Sequence, residues 1–248
     1  MKNSIFQSEY AGHALRYAFT YPSTRYRFHP WPRPVEGEEY DVKAAPDRLE
    51  LTRSVLPPES PDAFVEYRSL IGLTAKELLK YDCCIFHCVS FLWKGRAFLL
   101  TAPSGTGKTT QYLNWQRLFP GEITMICGDM PVLERREDGS IWAHPTSWNG
   151  KENIGNRITA PVGGIVLLEQ GKVNRIVPLP AREAVLPFFE QFIVRPDTEE
   201  QIRALARLLD QMLTKVPCFK FVNLGDEAST ALLRETLSPL TEGESHDL

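Results

Sequence analysis

No apolar run in this chain of 248 residues approaches the length of a membrane-spanning helix, and Met1-Lys2-Asn3 leads into no apolar signal segment. No membrane partner is therefore expected, and a cytoplasmic location is. The chain also lacks a strong charge of either sign: charged residues make up 24% and the formal net charge is −3. With no global pull toward polyanions, no nucleic-acid partner is expected. Cysteine is sparse. Cys83, Cys84, Cys88, Cys127 and Cys218 are odd in number and sit in apolar segments, which argues against a disulfide framework. Cys83, Cys84, His87 and Cys88 lie close together, but strand neighbours face opposite ways and no second ligand pair follows. Buried, reduced thiols are expected there. The length suits one domain, or one domain with an added layer.

What the chain does have is the stretch Leu99 to Gln111, LLTAPSGTGKTTQ. An apolar strand arrives over Arg96 to Thr101, and a helical pattern over Tyr112 to Leu118 leaves it, stopped by Pro120-Gly121. Ala102 to Thr109 has Walker A spacing: a small residue, four free positions, then Gly-Lys-Thr. Gly105 and Gly107 let successive N–H groups converge on phosphate oxygens, and the helix N-terminus adds its partial positive charge. The residues expected to cradle ATP are Pro103, Ser104, Gly105, Thr106, Gly107, Lys108, Thr109 and Thr110. Lys108 would reach the β- and γ-phosphates, and the Thr109 hydroxyl would ligate Mg2+.

Ile123 to Cys127 is a short apolar strand that closes on Gly128-Asp129. A carboxylate so placed after the loop helix suits a Walker B acid, although Gly-Asp is also ordinary turn chemistry. Ahead of the loop, Ile85 to Trp93 and Arg96 to Thr101 flank Lys94-Gly95 as a tight hairpin. A second hairpin, Val132 to Arg135 and Ser140 to His144 around Glu137-Asp138-Gly139, precedes the polar loop Pro145 to Asn153. Within that loop Lys151 could neutralise phosphate and Glu152 could hold metal or a substrate, though composition alone favours a plain surface loop.

Elsewhere the pattern is structural. Residues 1–82 read as an N-terminal β-rich layer, 83–240 as the P-loop domain and 241–248 as a loose tail. In the first part, Ala18 to His29 has strand character with an exposed arginine face, His29 to Pro34 is extended, and helical stretches start near Asp62 and again at Leu73-Thr74. No constellation there carries chemistry. In the second, Gly163 to Leu168 is a buried strand, Val173 to Val177 another, and Ala181 to Ile193 a helix kinked at Pro187. Asp197 or Thr198 caps the clearest helix, with Glu200 or Gln201 completing a capping box and Ile202, Leu205, Leu208, Leu209, Met212, Leu213 and Val216 as its stripe. Cys218 to Leu224 is a last strand and Glu227 to Leu237 a last helix.

Taken together, HCVSFLWKGRAFLLTAPSGTGKTT, CGDMPVLE and HPTSWNGKENIGNR resemble the HPr kinase/phosphorylase-like branch of the phosphoenolpyruvate carboxykinase superfamily. The resemblance covers roughly Cys84 to Leu179. It implies an α/β fold, a P-loop phosphoenolpyruvate carboxykinase-like mixed sheet with flanking helices, and phosphoryl transfer from ATP to a protein serine. It also implies roles: His87 lies as far ahead of the loop as the active-site histidine of that family, and Asp129 matches the carboxylate that deprotonates the acceptor and lies near Mg2+. Two positions depart from the family. Ala102 replaces the first loop glycine, and Gly128-Asp129 replaces paired aspartates, so Asp129 acts alone or with Glu152. The glycine-rich segment that HPr kinases carry beyond the loop is missing, which points away from HPr as acceptor. The chain looks closer to small relatives that phosphorylate a serine of ribosomally made precursor peptides. HPr kinases assemble as hexamers, so the resemblance admits a homo-oligomer.

The expected machinery is then Lys108, Asp129 and His87 for catalysis, Thr109, Asp129 and Glu152 for Mg2+, and Lys151 and Arg157 for charge on the transferred group. Two alternatives stand beside the serine kinase: a small-molecule kinase, with a deep closed acceptor pocket, and a nucleotide-binding regulator with little turnover. Oxaloacetate decarboxylation fits least, because the chain is short and carries no dedicated second metal cluster.

Overall fold

In the computed structural model, which describes residues 5–28 and 32–241, a small N-terminal sheet packs with two helices against a larger mixed sheet. Strands β1 (Ile5–Tyr10) and β2 (His13–Ala18) form a hairpin, and β3 (Arg33–Val35) pairs antiparallel on the other edge of β1. The strand expected over Ala18 to His29 does not form. Pro22–Arg27 winds as a 3-10 turn, because Pro22 fixes φ and the Glu66 carboxylate takes the Thr20 and Tyr21 N–H groups at 2.5 and 3.0 Å. Of the extended stretch expected next, His29 to Trp31 lie outside the described residues, and Arg33 belongs to β3. Helix α1 (Pro46–Arg53) buries no residue and so shows no apolar stripe in the sequence. Helix α2 (Asp62–Leu78) is continuous where two segments are expected, since no proline or turn interrupts it at Leu73-Thr74.

The larger sheet comprises, among the described residues, β4 (Cys83–Ile85), β5 (Cys88–Trp93), β6 (Arg96–Thr101), β7 (Ile123–Cys127), β8 (Val132–Arg135), β9 (Ile141–His144), β10 (Ala160–Gln170), β11 (Arg175–Pro178) and β12 (Cys218–Asn223). The expected strand Ile85 to Trp93 is split: β4 pairs with β8, β5 pairs with β6 and β7, and Phe86-His87 lies between them. Lys94 and Gly95, at φ 46° and 81°, make the two-residue turn whose twist suits a hairpin. Strand β5 is antiparallel to both β6 and β7, and β6 is parallel to β10. The C-terminal ends of β6, β7 and β10 therefore share one sheet edge with the start of β5. The hairpin β8–β9 joins this sheet through the first two residues of β10, Ala160 and Pro161. Strand β10 is longer than the expected Gly163 to Leu168, and β11 begins two residues after the expected Val173.

Four helices flank the sheet: α3 (Lys108–Leu118), α4 (Ala181–Phe189), α5 (Glu199–Lys215) and α6 (Glu227–Leu237). Helix α4 ends before the expected Ile193, because Phe192 bridges to Phe86 and the Ile193 N–H donates to the Ile85 carbonyl at 3.0 Å. Thr198 caps α5 by accepting from the Gln201 N–H. Ile202 lies at the margin of its stripe and is 53% exposed. The alternating residues of β5 and β6 fill two cores. Val89, Phe91, Trp93, Phe98 and Leu100 pack with Tyr112 and Trp115 on one face, while Cys88, Ala97 and Leu99 join the core that extends to Phe6, Tyr17 and Phe28. Burial on both faces explains the near-continuous apolar runs of these strands. Of the expected loose tail, Thr241 closes a 3-10 turn and the remainder lies outside the described residues. The molecule is thus mixed α/β, with a mixed, mostly antiparallel sheet and flanking helices, and no described helix is long and apolar enough to cross a membrane.

Candidate active site

The glycine loop leaves β6 at the shared edge and enters α3 without a break. Gly105 and Gly107 sit at φ 83° and 106°, where L side chains are strained, and a Cβ on either would meet nothing within 4 Å. The start of α3 is pinned from behind. The Gln111 amide donates to Asn223 Oδ1 at 3.1 Å and Ser229 Oγ at 2.7 Å, and accepts from the Thr230 hydroxyl at 2.8 Å. Lys108 is 7% exposed and turns back onto the loop, donating from Nζ to the Ala102 carbonyl at 2.8 Å and the Pro103 carbonyl at 3.3 Å. Burial pulls its pKa below the ordinary lysine range, and the neighbouring Cys88 and Asp129 oppose this.

His87 and Asp129 meet beside the loop. His87 Nε2 lies 3.3 Å from Asp129 Oδ1, both side chains being partly exposed. The pair is fixed by backbone: the Cys88 N–H donates to the Asp129 carbonyl at 2.9 Å, and the Thr101 hydroxyl donates to the His87 carbonyl at 2.9 Å. Gln191, which sequence reasoning missed, closes the other side. Its side-chain Oε1 lies 3.0 Å from His87 Nδ1, and its carbonyl accepts from the His87 N–H at 2.8 Å. No local signal marks this glutamine; the pairing of residues 191–193 with the segment Ile85 to His87 brings it there.

The loop after β9 folds over the end of β7. A Cβ on Gly128 would meet the Asn149 carbonyl at 2.6 Å and the Ile154 carbonyl at 3.0 Å, so only glycine fits this approach. The Cβ position of Gly150 lies 3.2 Å from Asp129 Cβ and 3.7 Å from Glu152 Oε2, so both acidic side chains flank Gly150. Lys151 is exposed beside them. Arg157 faces a different cleft, described below. The N-terminal layer packs on the same loop, the Tyr10 ring stacking on Trp148 at 5.2 Å between centroids, and burial raises the Tyr67 phenol to about 12, with the Arg68 and Arg27 charges opposing and the Asp129 charge assisting. Sequence reasoning found no chemistry in this layer, because Arg27 and Tyr67 come from a 3-10 turn and a helix far apart in the chain.

The open space over Gly105 and Gly107, the buried Lys108 cation and two nearby carboxylates fit a nucleotide phosphate with a hard cation. Among the described residues no group of three His, Cys, Asp or Glu could hold a metal without further ligands. Mg2+ commonly takes one or two carboxylates together with phosphate oxygens, which this set allows. The cysteines form no such group. Burial pushes the Cys88 and Cys127 thiols up, so they are neutral neighbours of the site.

No family model matches the chain, and no curated protein matches it. A solved structure, the Hpr(Ser) kinase/phosphatase from Coxiella burnetii, aligns with 62% of this chain and 93% of its own at 11% identity and a TM-score of 0.33. This is a distant structural relationship.

Proposed function

We propose that the chain is a cytoplasmic, ATP- and Mg2+-dependent kinase of the P-loop phosphoenolpyruvate carboxykinase-like type, acting on a serine hydroxyl of a protein or ribosomal precursor peptide. The observation that supports it is the meeting, at one sheet edge, of a buried loop lysine with a carboxylate braced by a histidine. Such an edge offers what phosphoryl transfer needs, which is mostly positioning and charge stabilisation.

In this reading the loop N–H groups and Lys108 hold the phosphates, and Lys108 exchanges its bonds to Ala102 and Pro103 for phosphate oxygens. Asp129 takes the proton from the acceptor hydroxyl while that oxygen bonds to the γ-phosphorus and the bond to the departing diphosphate breaks. His87 steadies the Asp129 carboxylate through Nε2. Mg2+, when bound, neutralises charge on the phosphate oxygens, with Thr109, Asp129 and Glu152 to hold it. Lys151 adds positive charge near the transferred group.

The test is transfer of label from γ-labelled ATP with Mg2+ into a pool of serine peptides and into a metabolite fraction, with Lys108→Ala as control. Phosphoserine that disappears in Lys108→Ala supports the reading. Label confined to metabolites overturns the acceptor class, and bound ATP without any transfer overturns the kinase.

A further inference from the structure

A cleft of about 690 Å3 opens between the β1–β2 hairpin and the loop after β9, and neither Asp129 nor any residue of the glycine loop lines it. Glu9, Tyr10 and Arg33 line it from the N-terminal sheet, and Thr146, Asn149 and Arg157 from the loop. The two places share that loop. The Thr146 hydroxyl donates to the Met130 carbonyl at 2.8 Å, the Met130 N–H donates to the Trp148 carbonyl at 3.1 Å, and Gly150, next to cleft-lining Asn149, packs on Asp129. A ligand in the cleft is thus one loop residue removed from the carboxylate without touching it.

That geometry selects the kind of ligand. A metabolite confined to the cleft would present nothing to Asp129 or Lys108, whereas an extended chain can lie in the cleft and carry a side chain across the loop. The volume falls within the usual range of about 300–1,000 Å3 for ligand sites, enough for several residues of a peptide. Charge narrows it further. Arg33 and Arg157 are exposed and form no ion pair among the described residues, against the single acid Glu9. The wall also holds Asn149, 7% exposed, whose Oδ1 has no donor among the described residues.

We propose that this cleft binds an acidic stretch of the acceptor polypeptide, a few residues from the serine presented to Asp129. The proposal rests on the kinase reading above. Arg33 and Arg157 pair with Asp or Glu side chains of the acceptor, and such contacts at an open site set orientation and selectivity more than rate.

The probe is a library of synthetic peptides with one serine and degenerate flanking positions, labelled from ATP with Mg2+. The wild type is expected to select Asp or Glu at a fixed distance from the serine. Arg33→Glu should reverse that selection to Lys or Arg, lowering kcat/KM on acidic peptides at least tenfold through KM, with ATP affinity unchanged. Glu9→Lys should sharpen the acidic preference. Serine labelling with no charge selection, or a selection that Arg33→Glu leaves intact, overturns the cleft assignment while the kinase reading stands. Absence of label from every peptide overturns both.

Discussion

Gln191 holds His87 by two hydrogen bonds, one from the His87 N–H to its carbonyl at 2.8 Å and one between Nδ1 and Oε1 at 3.0 Å. Nδ1 is thereby engaged by Gln191, and Nε2 is the atom turned to Asp129, 3.3 Å away. The glutamine is 7% exposed, so the ring cannot swing out on that side without breaking buried bonds. Gln191→Ala is expected to lower the rate of transfer about tenfold, the factor that ~1.4 kcal/mol gives, with ATP affinity unchanged. His87→Ala should cost at least as much, and the double variant no more than His87→Ala alone. Additive losses in that cycle would show that the two residues act separately.

Asp129→Asn keeps shape and removes the base. Transfer should fall by about 10²–10⁴-fold, the usual range for a positioned acid or base, while nucleotide binding persists. Equilibrium binding of a fluorescent ATP analogue beside single-turnover transfer separates the two effects. Transfer at the wild-type rate would remove Asp129 from the role of base.

Gly128→Ala tests the seating of the loop after β9. The added methyl would stand 2.6 Å from the Asn149 carbonyl and 3.0 Å from the Ile154 carbonyl, both backbone atoms that cannot swing aside. The loop has to move off the end of β7, at a cost of about 1–3 kcal/mol. Urea unfolding should record that loss, and transfer should fall further than stability does, since Gly150 and Glu152 leave Asp129 with the loop. Unchanged transfer would separate the loop from the site.

How much of this was legible in the sequence follows from how local each feature is. The glycine loop, the Lys94-Gly95 turn of the β5–β6 hairpin and the Ile123 to Cys127 strand are written in adjacent residues, and each forms where the pattern puts it. Long-range pairing is not so written. Gln191 meets His87 only because residues 191–193 pair with the segment Ile85 to His87, which also ends α4 early and splits the expected long strand. Arg157 lies in a loop that passes both Asp129 and the N-terminal cleft, and spacing alone cannot tell which side its side chain takes.

Glu66 is a second case of long-range control. Fully buried, it accepts from the Thr20 and Tyr21 N–H groups and from the Thr24 hydroxyl, so one carboxylate on α2 fixes the turn that replaces the expected strand. Glu66→Ala leaves the Thr20 and Tyr21 N–H groups without their acceptor, while the Thr24 hydroxyl keeps the Ala63 carbonyl at 3.3 Å, and should cost about 2 kcal/mol or more in urea unfolding. The 3-10 turn Pro22–Arg27 should then be cut faster by trypsin at Arg25 and Arg27 than the same turn in the wild type. Equal cutting would mean that packing of Phe28 alone holds the segment.

Alkaline pH should unfold the chain through groups that burial keeps protonated. Burial raises Tyr10 and Tyr67 from 10.0 to about 12, and Cys83 and Cys218 from 9.0 to about 12, while Tyr17 and Cys88 are pushed up as well. Each folded pKa lies above its unfolded value, so the folded state holds more protons than the unfolded state across the interval between them. Stability from these groups is complete below about pH 9 and declines first as unfolded thiols ionise and then as unfolded phenols do, and the share of Tyr10, Tyr67, Cys83 and Cys218 is lost by about pH 12. Urea midpoints measured at pH 8, 9, 10 and 11 should fall with increasing steepness above pH 9. In the same series a thiol reagent at pH 8 should leave the native chain nearly unreacted and titrate five thiols once urea unfolds it, with Cys218, the cysteine that is only partly buried, reacting first. Flat midpoints across that range would show that these side chains are solvated in the native state, and the two-faced core around β5 and β6 would have to be open to water.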